Sequence, residues 1–287
     1  MYVCRFPKPR LAIEQGVQLQ PSGPQACSAP AGDHDSGDER DNPTDLCADG
    51  PGEDISARVW LRLGFITLWE SDRRVLTRDN DWLNDNHLLG GLRHIEAAVP
   101  GMGESQPPSM SAAHASARNS YRPSAPNCST AIHGGTSDHW TLGSTIPDPA
   151  TPFAPLYCDA FKAFIPASVR ASLLRLYGGS QKTIRLRRLN PWAQEDSFSC
   201  GHRVLGWAYM LAHGASPESV SDAFFDVPQM AAWVKRLLEQ GSSAGPPPVL
   251  VVVPEGVARI NPLYDAAWWW VTVTKDRCVS DPPLAQT

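Results

Sequence analysis

The chain has 287 residues and a formal net charge of −5 at pH 7, a balance that gives no reason to expect a nucleic-acid partner. Its seven cysteines show no paired spacing, which argues against a secreted disulfide framework and for a reducing compartment. The first residues lack an apolar signal-peptide core and the longest apolar runs are too short for a membrane span, so we expect an intracellular protein, nuclear or cytoplasmic, without membrane association.

Composition divides the chain into three parts. Residues 1–57 are rich in Pro, Gly, Ser and Asp, which predicts a disordered segment because such a chain cannot bury enough surface to offset its conformational entropy. A folded pattern covers residues 58–240, with a low-complexity insertion at 101–130. Residues 241–287 include Trp268 to Trp270 and form a tail whose structure the pattern does not indicate.

The sequence pattern in the first half of the domain predicts one helix and three strands. Asp81 is a suitable N-cap for a helix that should run to about Ala98, before Pro100. The glycine pair Gly90-Gly91 inside this helix weakens the prediction. Short apolar runs predict strands at residues 130–133 and 139–142, and a third that ends near Asp159.

The second half predicts further helices around one basic strand. Pro166 opens a helix that Gly178 closes, and others should start near Cys200, at Ser216 and near Met230. Between them, residues 183–189 alternate apolar and basic side chains, which indicates a half-buried strand.

The arginines of that strand, Arg185, Arg187 and Arg188, have two interpretations. A solvated strand face is the simpler one, because local clusters of like charge are common on protein surfaces. A docking patch for an acidic protein partner is the alternative.

The segment from Gln194 to Gly201 carries the chemistry, because it places Cys200 at the start of a predicted helix. Unpaired backbone N–H groups there favour the thiolate, which is the nucleophilic form. A thiol protease also needs an imidazole, a carboxylate that orients it, and donors for the oxyanion. We expect His139 to be the base and then the acid, Asp159 to orient it, and the Gln194 amide with the Cys200 backbone N–H to stabilise the oxyanion.

These residues resemble the motifs of ubiquitin-like-protein-specific cysteine proteases, the adenain-like clan that processes SUMO and related modifiers. Three blocks carry the resemblance in the family's order: Trp-Leu-Asn-Asp at 82–85, His-Trp at 139–140, and Gln, five residues, then Cys-Gly at 194–201. Residues 157–161 are similar to the strand that ends in the catalytic aspartate. Residues 208–217 resemble members found in mobile-element-derived genes.

The resemblance implies an α+β, papain-like (adenain-type) fold with a mixed central sheet and the nucleophile at a helix N-terminus. It implies a peptidase or isopeptidase that cleaves after the C-terminal Gly-Gly of a SUMO-like or other ubiquitin-like modifier, with that modifier and its conjugates as partners and no cofactor. Trp82 and Trp140 are similar to two tryptophans that roof a glycine-specific tunnel, since flat aromatic walls suit residues without a Cβ. Asn84 and Asp85 of the same block are expected to contact the substrate.

Two departures from the family pattern leave other functions open. Low-complexity sequence at 101–130 replaces ordered elements, and Ser199 stands where an aspartate usually precedes Cys-Gly. A catalytically degraded module that binds a modifier or another protein without cleaving it is the main alternative. General proteolysis of unfolded or acidic substrates is a third, and the sequence does not indicate an oligomeric state.

Other cysteines and histidines are expected to be structural. No fourth ligand lies at a fitting spacing from Cys128, His133 and His139, so no metal site is predicted. His202 lies two residues beyond the nucleophile on a helix and should point away from it, either packed or facing solvent. Cys158 should be a core residue of its strand.

Overall fold

The computed structural model describes residues 58–78, 80–105, 127–134, 139–146, 154–161 and 164–280. The predicted disordered segment 1–57 and most of the predicted insertion at 101–130 lie outside these residues. Where the chain is described, it forms a two-stranded sheet, a six-stranded sheet and six α-helices.

The six-stranded sheet is the centre of the fold. A hairpin precedes it, formed by the antiparallel strands β1 (Val59–Leu63) and β2 (Ile66–Trp69). In spatial order the central strands are β3 (Ser129–His133), β4 (Trp140–Ser144), β5 (Leu156–Cys158), β6 (Thr183–Leu189), β7 (Trp268–Thr274) and β8 (Cys278–Ser280). Strands β5 and β6 run parallel and the other neighbours run antiparallel, so the sheet is mixed.

Helices cover both faces of this sheet. They are α1 (Glu70–Val75), α2 (Asp85–Ala98), α3 (Ala167–Tyr177), α4 (Cys200–Ala212), α5 (Pro217–Asp222) and α6 (Val227–Gln240). Helix α3 packs on one face, and α2, α4 and α6 form the larger core on the other. The predicted α+β class, with its mixed central sheet and Cys200 at a helix N-terminus, is confirmed.

None of the helices in the described part of the chain is long and apolar enough to cross a membrane.

The short strand β5 shows how the sheet serves both cores. Consecutive side chains of a strand point to opposite faces. Tyr157 therefore joins the core under α3, whereas Leu156 and Cys158 join the core with α4. The prediction that Cys158 is a core residue is confirmed.

Helix α2 begins later than predicted, because its N-cap is Asn84 and not Asp81. The Asn84 side-chain oxygen accepts the backbone N–H groups of Asn86 and His87 at 3.0 and 3.1 Å. In return, the Asn84 N–H donates to His87 Nδ1 at 3.2 Å. This reciprocal cap satisfies the free donors of the first turn, and the predicted end of the helix at Ala98 is confirmed.

The glycine pair in α2 is required by helix packing. A Cβ on Gly90 would lie 2.9 Å from a methyl carbon of Leu238, in α6. A Cβ on Gly91 would lie 2.7 Å from a methyl carbon of Leu205, in α4. Gly91 lets α2 approach α4, which carries Cys200, and Gly90 lets it approach α6. The pair therefore serves the packing of α2 and does not break the helix.

The C-terminal segment completes the sheet. All seven residues of β6 pair with β7, from Thr183 opposite Thr274 to Leu189 opposite Trp268. Residues 268–280, which the sequence pattern left without an assigned structure, therefore add two strands, β7 and β8. The folded unit continues beyond residue 240.

The pairing of β6 with β7 forms what we call the arginine–tryptophan ladder, Arg185, Arg187 and Arg188 with Trp268, Trp269 and Trp270. The Arg185 guanidinium carbon lies 4.4 Å from the Trp270 ring centroid, and that of Arg187 lies 5.4 Å from Trp268. Arg188 lies on the other face, 5.4 Å from Trp269 and 5.5 Å from Tyr157. Guanidinium groups are attracted to aromatic faces at these separations.

The ladder corrects the interpretation of these arginines as a solvated face. Arg185 is exposed, but Arg187 and Arg188 are 0% and 2% exposed. The aromatic side chains of β7 cover them, and that strand lies about eighty residues further along the chain.

Candidate active site

Three of the predicted catalytic residues meet at one edge of the central sheet. Asp159 follows the end of β5, and Cys200 begins α4 after the chain has left the end of β6. Parallel strands end at the same edge of a sheet, and an antiparallel neighbour begins there. His139 directly precedes β4, which is antiparallel to β5, and so it lies at this edge as well.

His139 and Asp159 form a buried hydrogen-bonded pair. His139 Nε2 lies 2.8 Å from Asp159 Oδ1, and both side chains are almost completely enclosed. The Phe161 backbone N–H donates to the same carboxylate oxygen at 2.8 Å, and the Tyr157 hydroxyl donates to Oδ2 at 3.0 Å. Asp159 is therefore held from three directions.

The Asp159 carboxylate stays ionised despite its burial. Burial raises the pKa of this carboxyl. The hydrogen bonds from His139 and Phe161 and the nearby charges of His139 and Arg188 lower it by more than burial raises it, so the net shift of the pKa is downward. A fixed negative charge thus faces the imidazole at neutral pH.

The pKa of His139 is shifted in the opposite direction, upward. Burial lowers the pKa of His139, but the hydrogen bonds and charge interactions with Asp159 and Cys200 outweigh burial and raise it to about 9. Because Nε2 is bonded to Asp159, Nδ1 is the ring nitrogen left for the thiol. The Phe161 ring lies 5.2 Å from the imidazole and packs against it. The arrangement favours an imidazolium beside Cys200.

The loop before Cys200 is organised by Asp196. Asp196 Oδ1 accepts the backbone N–H groups of Phe198 and Ser199 at 2.9 and 2.6 Å, and Oδ2 accepts the Ser199 hydroxyl at 2.7 Å. Gln194 Nε2 donates to the Asp196 carbonyl at 2.8 Å and lies 3.1 Å from Oδ1. The predicted oxyanion donors, Gln194 and the Cys200 N–H, lie at the two ends of this loop.

Trp82 and Trp140 lie in different environments, and Trp140 is the one that packs against the start of α4. Trp140 is buried and its indole N–H donates to the Leu83 carbonyl at 3.0 Å, whereas Trp82 is 40% exposed. A Cβ on Gly201 would lie 3.0 Å from Leu83 Cβ and 3.4 Å from Trp140. The residue after Cys200 is therefore a close-packed glycine, and Trp82 is the tryptophan at the surface.

The other two predicted substrate contacts lie at the start of α2. Asn84 is the N-cap, and its amide Nδ2 also donates to Asp72 Oδ1 at 2.7 Å. These bonds give Asn84 a structural role. Asp85 is half-buried in the first turn of the helix. Contact of either residue with a substrate stays a prediction.

Sequence reasoning missed four residues around the site: Tyr157, Arg188, Asp196 and Arg203. Asp196 had a local signal, because an aspartate commonly accepts backbone N–H groups two and three residues ahead. Tyr157 had a weaker signal, its position two residues before Asp159 at the end of a strand. Arg188 had none, because its place beside Tyr157 depends on the register of β5 and β6.

Two histidines outside this group, His202 and His133, are packed against other side chains. Burial, together with the nearby charge of His87, lowers the pKa of His202 to about 4. His202 is 3% exposed, so the packed alternative is confirmed and the solvent-facing one is wrong. His133 packs edge-on against Trp140, with ring centroids 4.9 Å apart. In the ranges given above, the structure shows no cluster of three or more His, Cys, Asp or Glu placed to hold a metal.

Comparison with known proteins gives matches to solved structures only. The chain is similar to SUMO protease Ulp1 with its catalytic cysteine oxidised to a sulfinic acid, at 16% identity over 66% of this chain and 90% of that one, with a TM-score of 0.47. It is also similar to the C-terminal Ulp1 protease domain in complex with Smt3, the yeast ortholog of SUMO, at 16% identity over 65% and 89%, with a TM-score of 0.46.

No protein-family model and no curated protein matches the chain. Because the sequence identity is 16% and the TM-scores are only 0.47 and 0.46, the chemistry of the site rests on its own geometry.

Proposed function

We propose that the domain is a papain-like cysteine peptidase or isopeptidase that cleaves after the C-terminal Gly-Gly of a SUMO-like or other ubiquitin-like modifier. The observation that carries the proposal is the buried His139–Asp159 pair, 2.8 Å apart, interacting with Cys200 at the N-terminus of α4. The group contains a nucleophile, an acid–base and an orienting carboxylate in one place, which is the arrangement that thiol catalysis needs.

The acylation step follows from the protonation states. The Cys200 thiolate attacks the carbonyl carbon of the last glycine and forms a tetrahedral oxyanion. As the C–N bond breaks, the His139 imidazolium gives its proton to the leaving amine, and a thioester to Cys200 remains. Asp159 keeps the imidazole oriented through Nε2 and stabilises its charge.

The deacylation step uses the same groups in reverse roles. His139, now neutral, takes a proton from a water molecule, and the resulting hydroxide attacks the thioester carbonyl. The C–S bond of the second tetrahedral intermediate then breaks. This releases the glycine carboxylic acid, which gives its proton to solvent and leaves as the carboxylate. The thiolate leaving group and the proton that His139 took from water restore the thiolate–imidazolium pair.

The oxyanion of both steps would be stabilised by the Cys200 backbone N–H and the Gln194 amide. An amide nitrogen carries two protons. Gln194 Nε2 bonds to two oxygens of Asp196, its carbonyl oxygen and Oδ1. We propose that one N–H is shared between these two oxygens, which leaves the second for the oxyanion. Donors of this kind contribute most when they are fixed before the reaction begins.

The preference for glycine rests on Trp82 and on the motif resemblance. Trp82 is the exposed aromatic residue next to Leu83, which packs against the Gly201 position. A flat indole above the nucleophile leaves room for a peptide without Cβ atoms and restricts larger residues. The proposal of a ubiquitin-like modifier as the class of substrate rests on the resemblance of the Trp-Leu-Asn-Asp, His-Trp and Gln-to-Cys motifs.

The test is covalent labelling by SUMO-type and other ubiquitin-like modifiers that carry a C-terminal Gly-Gly electrophile. The wild-type chain should be labelled, and Cys200→Ala should abolish labelling while circular dichroism shows an unchanged fold. Cys278→Ser is the matched control, because Cys278 lies half-buried on the edge strand β8 and should not affect labelling.

Two outcomes would contradict the proposal. Undiminished labelling of Cys200→Ala would remove Cys200 as the nucleophile. A wild-type chain that binds a modifier tightly but neither reacts with the electrophile nor cleaves a Gly-Gly amide would be the non-cleaving module instead.

A further inference from the structure

One carboxylate fixes both ends of the loop that would hold the oxyanion. Asp196 accepts hydrogen bonds from the backbone N–H groups of Phe198 and Ser199 and from the Ser199 hydroxyl. Through its carbonyl and Oδ1 it also holds the side-chain nitrogen of Gln194. The next peptide N–H after Ser199 is that of Cys200, so the orientation of the Ser199–Cys200 peptide depends on how Ser199 is held.

The Gln194 amide has no second anchor in its side chain. Its oxygen, Oε1, is buried and has no hydrogen-bond partner among the described residues. Every hydrogen bond of the Gln194 side chain in this part of the structure therefore goes to Asp196. Without the Asp196 side chain the amide keeps only its bond to the backbone carbonyl of residue 196 and loses the contact with Oδ1. One bond holds the amide less firmly against rotation about its last side-chain bond, which has a broad and shallow torsional preference.

Arg203 extends the contacts of Asp196 into the first turn of α4. Its Nε donates to the Ser199 hydroxyl oxygen at 3.1 Å, and its side chain is 3% exposed. The hydroxyl thus accepts from a buried cation and donates to Asp196, which fixes its rotation. Position 199 has no carboxylate of its own, and Asp196 supplies one to it.

We infer that Asp196 is a positioning residue for the oxyanion hole, acting through Gln194 and the Ser199–Cys200 peptide. The inference rests on the proposed function and adds to it a residue that touches neither the substrate nor the reacting atoms. Its effect should be on the rate of the acyl-transfer step, since the oxyanion forms there. Substrate affinity and the reactivity of the thiolate should change little.

The first experiment separates oxyanion formation from thiol reactivity. Hydrolysis of a SUMO-type modifier with a C-terminal Gly-Gly aminomethylcoumarin passes through an oxyanion, whereas alkylation of Cys200 by iodoacetamide does not. Removal of one oxyanion donor costs about 10²–10³ in kcat. Asp196→Ala disorders such donors rather than deleting them, so we expect about a 10- to 100-fold loss in kcat. KM and the alkylation rate should stay within about threefold, because neither depends on the oxyanion.

Two further variants serve as rescue and control. Asp196→Asn keeps an oxygen that can accept the Phe198 and Ser199 N–H groups and should recover part of the lost kcat. Glu195→Ala removes the same charge from the neighbouring exposed residue and should leave kcat unchanged. Recovery in the Asn variant together with a neutral Glu195 variant would show that hydrogen-bond acceptance, and not net charge, is what matters.

The outcomes distinguish the two proposals. A wild-type-like kcat in Asp196→Ala, with Cys200→Ala inactive, would overturn the positioning role and leave the proposed function standing. A parallel fall of kcat and alkylation rate would also overturn it, because Asp196 would then act through the fold or the thiol. A wild-type chain that hydrolyses no Gly-Gly substrate would overturn the proposed function and this inference with it.

Discussion

The candidate catalytic corner, formed by Gln194, Asp196, Ser199 and Cys200 with His139 and Asp159, and the arginine–tryptophan ladder hold charged side chains in different ways. At the corner, hydrogen bonds within a few residues define the loop, as Asp196 shows with Phe198 and Ser199. In the ladder, aromatic faces from a distant strand cover Arg187 and Arg188.

The two regions meet at Arg188. This side chain packs against Trp269 in the ladder and against Tyr157, whose hydroxyl donates to Asp159. The charge of Arg188 also lowers the pKa of Asp159. Local hydrogen bonds thus shape the groups that would react, and long-range packing supplies the charge environment behind them.

The largest expected effect is on activity, from Asp159→Asn at the corner. The change keeps the shape of the side chain but removes the negative charge, and the comparable change in a serine-protease triad costs about 10⁴ in kcat. We expect a loss of about 10²–10⁴ in kcat of Gly-Gly hydrolysis, because a thiol depends less on its base than a hydroxyl does. A variant with at least a tenth of wild-type kcat would exclude an orienting role.

The dependence of kcat/KM on pH is a second test of Asp159→Asn. The wild-type pKa of about 9 for His139 means that the imidazolium is lost as pH rises through 9, so kcat/KM should fall on that alkaline limb. Without the Asp159 charge the pKa of His139 falls, and the limb should move to lower pH. An alkaline limb at the same pH in both proteins would contradict the assignment.

A stability effect should come from Trp269→Ala in the ladder. Trp269 is 2% exposed, stacks on Tyr264 at 4.7 Å and covers Arg188. Truncation of a buried tryptophan costs about 3–5 kcal/mol, measured as the free energy of unfolding in urea.

Trp270→Ala is the matched control for the ladder. Trp270 points to the opposite face of β7, is half-buried and packs on the exposed Arg185. Its truncation should cost no more than about 2 kcal/mol. Equal losses in the two variants would show that the alternation of faces in β7 is not as described.

The smallest effect, on the free energy of unfolding, should come from a local interaction, the N-cap of α2. Asn84→Ala removes the acceptor for two backbone N–H groups and should lower the free energy of unfolding by about 1 kcal/mol. Asn86→Ala, an exposed change at the second residue of the same helix, should be neutral. Asn84→Ser keeps a capping oxygen but loses the bond to Asp72. A loss of kcat/KM in that variant without a loss of unfolding free energy would therefore reveal a substrate contact separate from these structural roles.

Much of the fold could be predicted from local patterns. The helix at Cys200, the end of α2 at Ala98 and the strand at residues 183–189 follow from apolar periodicity and from Pro and Gly at element ends. The start of α2 was misplaced, because Asp81 and Asn84 both have capping side chains. Reciprocal bonding with His87 favours Asn84, and that depends on a contact outside the apolar pattern.

The candidate site was predicted in part. Cys200, His139 and Asp159 could be named because nucleophile, base and orienting group are chemically distinct residue types with characteristic neighbours. Arg188 could not be named, since its approach to Asp159 depends on the register between β5 and β6. The burial of Arg187 likewise depends on pairing with β7.

By itself, the sequence determined the features that act within a few residues. These are the helix start at Cys200, the spacing from Gln194 and the turn that Asp196 can make, because hydrogen bonds between near neighbours form with little loop-closure cost.

Only the tertiary structure decided which distant segments meet. It brought His139 to Asp159, added β7 to the sheet and buried Arg187 and Arg188 of β6 under its tryptophans. Those contacts depend on strand register and on the packing of two cores around one sheet, which the whole chain settles together.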